Sequence, residues 1–322
     1  MNLFCRVAAA FAFATFVAAP LAAQTSWPDK PVKLVVGFTA GSATDVSGRI
    51  FAHKFAEMWG QPVVVENVPG NSGAIGTDRV AKANPDGYTL LWSGNAAITI
   101  LPSLQKLPFD PLKDLAPITT TLVTSSILFV NNDMPVKSLA ELIAYAKANP
   151  GKLSYGSPGV GTPQHVATEL LSSLAGIKME HIPYRGANLT DVMSGVVPVG
   201  IQNAGAAMPF VNDGRVRGLA LTAQKRAAGA PSLPTVAEQG FPGFEAVSWF
   251  ALMAPTGTPK PILDKVRADA LKVLADPEVQ KKFLAIGLEV VGSTAEETRA
   301  AIAADIPKWE KVIKDANIKV GK

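Results

Sequence analysis

Short apolar runs alternate along this chain with stretches in which apolar side chains recur every three or four positions, the signature of strands alternating with amphipathic helices. The first run, Leu34-Val35-Val36, passes through Gly37 and Phe38 into a loop of small residues, Thr39 to Asp45. From Val46 to about Trp59, the residues Val46, Ile50, Phe51, Phe55, Met58 and Trp59 share a broad apolar face and predict a helix. Pro62–Asn67 predicts a strand, Ala74–Ala83 a helix and Tyr88–Trp92 a strand. Asn84-Pro85-Asp86-Gly87 is a turn, and Ser93-Gly94-Asn95 is a small polar loop at a strand end. This β–α–β–α–β order calls for a mostly parallel sheet covered by helices.

Ile118–Thr124 and Ile127–Val130 are β-rich and are taken as a crossing into a second unit of the same style. A helix capped by Ser138 runs to about Asn149, and strand Leu153–Gly156 follows. Next come a helix from Thr162 to about Leu174, a strand from His181, a short helix Leu189–Met193, and strands Val196–Ile201 and Val216–Thr222. Val247–Met253 reads as the crossing back. Three helices close the chain: Lys260–Ala275, Pro277–Ile286 and Thr294 to about Ala316, the last with Ser293 and Glu296 as a capping box. The reading is an α/β protein of two lobes joined by two crossing strands, with a ligand cleft between them. Residues 24–125 and 248–322 form one lobe and residues 126–247 the other.

Two loops carry the candidate chemistry. Ser42 and Asp45 are spaced as a capping box, so a helix begins there. The sequence Ser157-Pro158-Gly159-Val160-Gly161-Thr162 is a second small-residue loop, with Thr162 as N-cap and Pro163 at a position where a missing N–H does no harm. The first turn of a helix leaves N–H groups without intrahelical partners and carries the positive end of the helix dipole. Two such loops facing each other would hold a carboxylate or phosphate between them.

Composition narrows the class. Met1 to Arg6, the apolar run Val7–Val17 and the small residues up to Ala23 read as a secretory signal peptide cleaved near Ala23, and the protein is expected in the periplasm. The run is too short to span a membrane. Cys5 is the single cysteine of the chain, and it lies in the leader, so the exported chain is expected to hold no thiol, disulfide or cysteine-ligated metal. Of 30 basic residues only Arg6 leaves with the leader, so 29 face 26 acidic ones, a net charge of +3. With no basic run, that argues against a nucleic-acid partner. Three scattered histidines, His53, His165 and His181, supply no metal site, and no cofactor is expected.

Several segments together carry a family resemblance. They are Gly41–Asp45 with Arg49, Val65-Glu66-Asn67-Val68-Pro69-Gly70 with Gly73 and Gly76, Pro85-Asp86-Gly87-Tyr88-Thr89-Leu90, Tyr155–Gly161, Ile182–Gly186, Pro234-Thr235-Val236-Ala237-Glu238 and Ser248-Trp249-Phe250. In their order and spacing the chain resembles the periplasmic substrate-binding proteins of tripartite tricarboxylate transporters, the Bug family, over essentially its whole exported length. The resemblance implies a periplasmic binding protein type II-like fold. It also implies a receptor that delivers a small organic acid (a di- or tricarboxylate, or an aromatic carboxylate) to membrane permease subunits, and a monomer is expected. Carried onto this sequence, Ala40, Gly41, Ser42, Thr44, Asp45 and Asn95 form one wall. Ser157, Gly159, Val160, Gly161 and Thr162 form the facing wall, with Tyr184, Gly186 and Asn203 beside it. Two departures stand out. Ser42 occupies a position where the family usually has glycine, and no acidic residue accompanies Gln202-Asn203, which favours a plain organic acid over an amino acid.

Other roles were weighed at single residues. Asp45 either bonds a ligand hydroxyl or stabilises its own helix start, and Arg185 either faces a second carboxylate or is solvated. Arg49 is expected in a structural salt bridge, Trp249 and Phe38 in core packing, and Glu66-Asn67 in fixing a turn. A carboxylate sensor that signals through a membrane protein is the alternative function. An exported hydrolase would need a Ser157–His165 pair, yet no serine lies in a G-x-S-x-G elbow and no acid stands ready to orient an imidazole.

Overall fold

The computed structural model describes residues 27–184 and 186–319. The leader with Cys5, the cleavage position near Ala23, and Arg185 lie outside the described residues. Two sheets organise the rest. The first contains β1 (Val32–Val36), β2 (Val63–Asn67), β3 (Thr89–Gly94), β4 (Leu115–Thr124), β10 (Ser248–Pro255) and β11 (Glu289–Val290), in the order β11-β4-β10-β3-β1-β2. The second contains β5 (Ser126–Val130), β6 (Ser154–Ser157), β7 (Glu180–Pro183), β8 (Val199–Asn203) and β9 (Arg217–Leu221), in the order β7-β6-β8-β5-β9. Strand β1 runs parallel to β2 and β3, and β6 runs parallel to β7 and β8. Strands β1 and β3 are buried along most of their length, which is why they read as nearly unbroken apolar runs, whereas β2 and β7 at the sheet edges are half-exposed. Strands β10, β5 and the short β11 run antiparallel to their neighbours, and every residue of β10 and of β5 is buried.

Helices α1 (Ala43–Trp59), α2 (Ala74–Ala81), α7 (Lys260–Ala275) and α8 (Pro277–Ala285) belong with the first sheet. Their core holds Phe51 against Trp92, ring centroids 4.7 Å apart, and against Phe283 at 5.8 Å. Helices α3 (Leu139–Ala148), α4 (Pro163–Ala175), α5 (Leu189–Met193) and α6 (Ala204–Asn212) belong with the second, around Tyr155, Val166, Leu171 and Ile201 or around Phe129 and Val192. The last helix, α9 (Ala295–Asp315), serves both. Ile302 packs into the first lobe, while Trp309, Val312 and Ile313 pack into the core of the second. The sequence reading assigns all of 248–322 to the first lobe; the end of α9 instead closes the second.

Only Ser125 separates β4 from β5, and the return passes through Ala246 and Val247 into β10. Thr222 ties the two crossings. Its hydroxyl accepts from the Ser126 N–H at 2.8 Å, its N–H donates to Ser126 O, and its carbonyl accepts from the Ala246 N–H.

Some elements differ from the sequence reading. Helix α6 was not anticipated, because Gly205 and Pro209 lie inside it. Strand β3 runs on through Ser93 and Gly94, which pair with Ala251 and Phe250, and Asn95 leads directly into the helical turns Ala96–Ile100 and Leu101–Ser103. The capping box of α9 is Thr294 with Glu297, not Ser293 with Glu296; the Ser293 hydroxyl is taken by the Thr120 N–H at 2.9 Å.

Candidate functional site

A cavity of about 480 Å³ lies between the two sheets, within the range of ligand pockets. The first lobe lines it with Phe38, Ser42, Ala43 and Thr44 at the start of α1, with Ser72, and with Gly94, Asn95 and Ala96 at the end of β3. Ser248, Trp249 and Phe250 add the start of β10. The second lobe contributes Pro158, Thr162, Pro163 and Gln164 around the start of α4, then Gly186, Ala187, Gln202 and Asn203.

The α1 start is built by its caps. The Ser42 hydroxyl accepts from the Asp45 N–H at 3.2 Å, leaving its own proton free. Asp45 does not complete the capping box; its Oδ2 accepts instead from the Gly41 N–H at 2.8 Å. The same carboxylate takes Arg49 Nε at 3.0 Å and Asn67 Nδ2 at 2.8 Å, and Asn67 also donates to Phe38 O. Burial alone would raise the Asp45 carboxyl, but the bonds from Arg49, Gly41 and Asn67 outweigh it and hold it below its ordinary range. Asp45 is therefore a buried brace that shapes the loop, and it does not line the cavity. Arg49 and Asn67 take the structural roles expected of them.

The α4 start is built differently. The Thr162 hydroxyl accepts from the His165 N–H at 3.3 Å and donates to Gly159 O at 2.8 Å. Pro163 has no N–H, so the Gln164 N–H is the first unpaired donor of the turn. Gln164 Nε2 reaches Ser126 Oγ at 3.3 Å and also Asn203 Oδ1, joining α4 to the crossing and to β8.

Behind this loop the imidazoles of His165 and His181 stack, 3.7 Å between centroids. The Gly161 N–H donates to His165 Nδ1 at 3.1 Å, and Ser157 Oγ lies 2.7 Å from His181 Nε2. Burial lowers the His165 pKa to about 3, aided by its neighbour, and lowers His181 to about 4. The Ser157–His165 pair considered from sequence is thus replaced by Ser157–His181. Ser157 is fully buried and does not line the cavity.

Of the sequence candidates, Ser42, Thr44, Asn95, Thr162, Gly186 and Asn203 line the cavity together. Gly41 lines an adjoining recess that shares Ala43 and Asn203. Ala40, Asp45, Ser157, Gly159, Val160, Gly161 and Tyr184 do not line it; the Tyr184 hydroxyl donates to Asp191 at 2.6 Å. Sequence reasoning missed Ser72, Gln164, Gln202 and Ser248. For Gln164 a signal existed, since it follows the Thr162-Pro163 helix start by one residue. Of Phe38 and Trp249, expected in core packing, Trp249 is buried in the core and Phe38 packs half-buried against it, and both line the cavity.

No charged side chain occurs among the described lining residues. What favours an anion is the set of N-terminal peptide groups of α1 and α4, both opening onto the same space.

Two α/β lobes, tied by crossings and enclosing an uncharged polar cleft at facing helix starts, define a two-lobed solute-binding protein of the periplasmic type II-like class. Residues 48–318 match the family model described as tripartite tricarboxylate transporter family receptor, and the chain belongs to that family. It is 36% identical to protein BugT of Bordetella pertussis over 94% of each chain. Among solved structures it resembles an R. palustris protein determined with adipate, with 35% identity, a TM-score of 0.81, and 91% of this chain and 99% of the other covered. It also resembles MatC from Rhodopseudomonas palustris with bound malate, with 28% identity, a TM-score of 0.77, and coverage of 89% and 100%.

Proposed function

We propose that this protein is an exported receptor that captures a small organic carboxylate between its lobes and delivers it to a tripartite tricarboxylate-type permease. The observation that carries the reading is the cavity itself, lined by Ala43 and Thr44 at the start of one helix and by Gln164 at the start of another. Several neutral dipoles fix an anion without a buried countercharge, so release needs only that the lobes part. Relatives solved with adipate and malate support the ligand class. Residues 24–125 and 248–308 act as one lobe and 126–247, with the end of α9, as the other. Ser42, Thr44, Asn95, Thr162, Gly186 and Asn203 touch the ligand, and residues 1–23 direct export.

Native mass spectrometry of the purified protein, followed by a thermal-shift screen of carboxylates, amino acids and sugars, tests this. A ligand at a hundredfold excess over its Kd adds about 2.7 kcal/mol of stability. A shift with one group of acids and none with sugars is expected; no shift with any acid refutes the reading.

A further inference from the structure

The loop Gly70-Asn71-Ser72-Gly73, between β2 and α2, holds a strained backbone at the cavity wall. The Gly73 N–H donates to Gly70 O at 3.0 Å and closes a turn over Asn71 and Ser72. Both central residues have positive φ, 47° at Asn71 and 50° at Ser72. A turn of this mirror-image kind favours asparagine followed by glycine, because an L side chain in the left-handed region crowds its own backbone. Asn71 follows that preference and Ser72 departs from it. The glycines nearby answer to packing: a Cβ on Gly37 would lie 2.8 Å from Gly73 Cα, and one on Gly76 would lie 3.0 Å from Gly37 Cα. No protein hydrogen bond accounts for the serine. Among the described residues its hydroxyl has no protein partner, whereas the Thr77 hydroxyl on α2 donates to Gly73 O at 2.9 Å. Ser72 does line the cavity, while Asn71 is exposed and does not.

Resting on the receptor reading above, we propose that Ser72 is a ligand-binding residue whose hydroxyl donates to an oxygen of the bound acid. The strain in its turn is then a loss of stability retained for recognition. A side chain that holds an unfavourable backbone, yet bonds to no protein group, finds its partner in the cleft that it lines.

Titration calorimetry with adipate, malate, citrate and benzoate, together with thermal unfolding of the ligand-free protein, tests this on the wild type and three variants. Ser72→Gly relieves the strain and should raise Tm by about 1–3 °C. It should also bind the acid that the wild type holds tightest at least about fivefold more weakly, the worth of one hydrogen bond. Ser72→Ala keeps the strained backbone, so Tm should stay within about 1 °C while affinity falls by a similar factor. Asn71→Gly loosens the same turn without touching the cavity and should leave affinity within about twofold. Unchanged affinity in both Ser72 variants overturns the inference and leaves the receptor reading standing. An equal loss in Asn71→Gly also overturns it, by assigning the effect to the flexibility of the turn. So does a Tm for Ser72→Gly at or below that of the wild type. Failure of the wild type to bind any of the four acids overturns both readings.

Discussion

The stacked histidines make stability depend on pH in a window of their own. His165 and His181 are held neutral in the fold, with pKa values lowered to about 3 and about 4 from an ordinary 6.5. Because the folded values lie below the unfolded one, the unfolded chain binds the protons more readily. Stability is therefore complete above about pH 6.5 and is lost as pH falls from there toward 4. At pH 5 each neutral imidazole held against protonation costs about 2 kcal/mol, an upper bound of about 4 kcal/mol for the pair. His181 is only partly buried, so its share is discounted for screening. Glu169, bonded to the Tyr155 hydroxyl and raised by burial, works in the opposite direction by taking its proton early in the fold. The net expected loss is about 2–3 kcal/mol between pH 7.5 and pH 5. Asp45 and Asp269, whose pKa values are lowered, lose their contributions only below about pH 4, outside this window. Urea unfolding followed by tryptophan fluorescence at fixed ionic strength measures it, since Trp59, Trp92, Trp249 and Trp309 are buried. His165→Gln, which keeps an acceptor for the Gly161 N–H, should roughly halve the loss. A wild-type change below about 0.5 kcal/mol, or the same change in the variant, would refute the reasoning.

Three further substitutions probe the architecture. A Cβ on Gly205 would lie 2.2 Å from Ile286 O across the lobe junction, so Gly205→Ala should hold the lobes apart; ligand affinity drops about tenfold or more by titration and the liganded protein expands by small-angle scattering, whereas Gly229→Ala, with open space around it, changes neither. Gly161 has φ +73° and a Cβ there would lie 2.7 Å from Leu104 Cδ1, so Gly161→Val should destabilise by about 1–3 kcal/mol in urea titrations and weaken carboxylate binding. Trp309→Ala removes the buried anchor of α9 in the second lobe and should cost about 3–5 kcal/mol in the same assay.

Much of the fold was written locally. Strands β1 and β3 announce themselves because burial on both faces leaves little polar alternation. Helices α3 and α7 start and stop where Ser138, the Pro150-Gly151 break and Pro261 put them. Helix α6 was illegible for a tertiary reason. Its glycine is required not by the helix but by the backbone of Ile286 and Gly287 pressed against it, and that neighbour is far along the chain. The capping box of α9 was displaced by one residue for the same kind of reason: Ser293 is claimed by Thr120 on another strand.

The site divides along the same line. The starts of α1 and α4 were legible because N-cap chemistry involves residues a few positions apart. Which neighbours then turn toward the cavity was not, because the deciding partners come from elsewhere: Asn67 draws in Asp45, His181 takes Ser157, and Asp191 takes the Tyr184 hydroxyl. The other residues that line the cavity converge only through sheet order. Asn95 meets Trp249 and Phe250 because β3 lies beside β10, and Asn203 meets Ser126 and Gln164 because β8 lies between β5 and β6. Strand neighbours are set by crossings, which no local pattern of apolar and polar positions encodes. On the proposed reading, the carboxylate end of recognition belongs to the sequence near each helix start, and selectivity belongs to the assembled sheets.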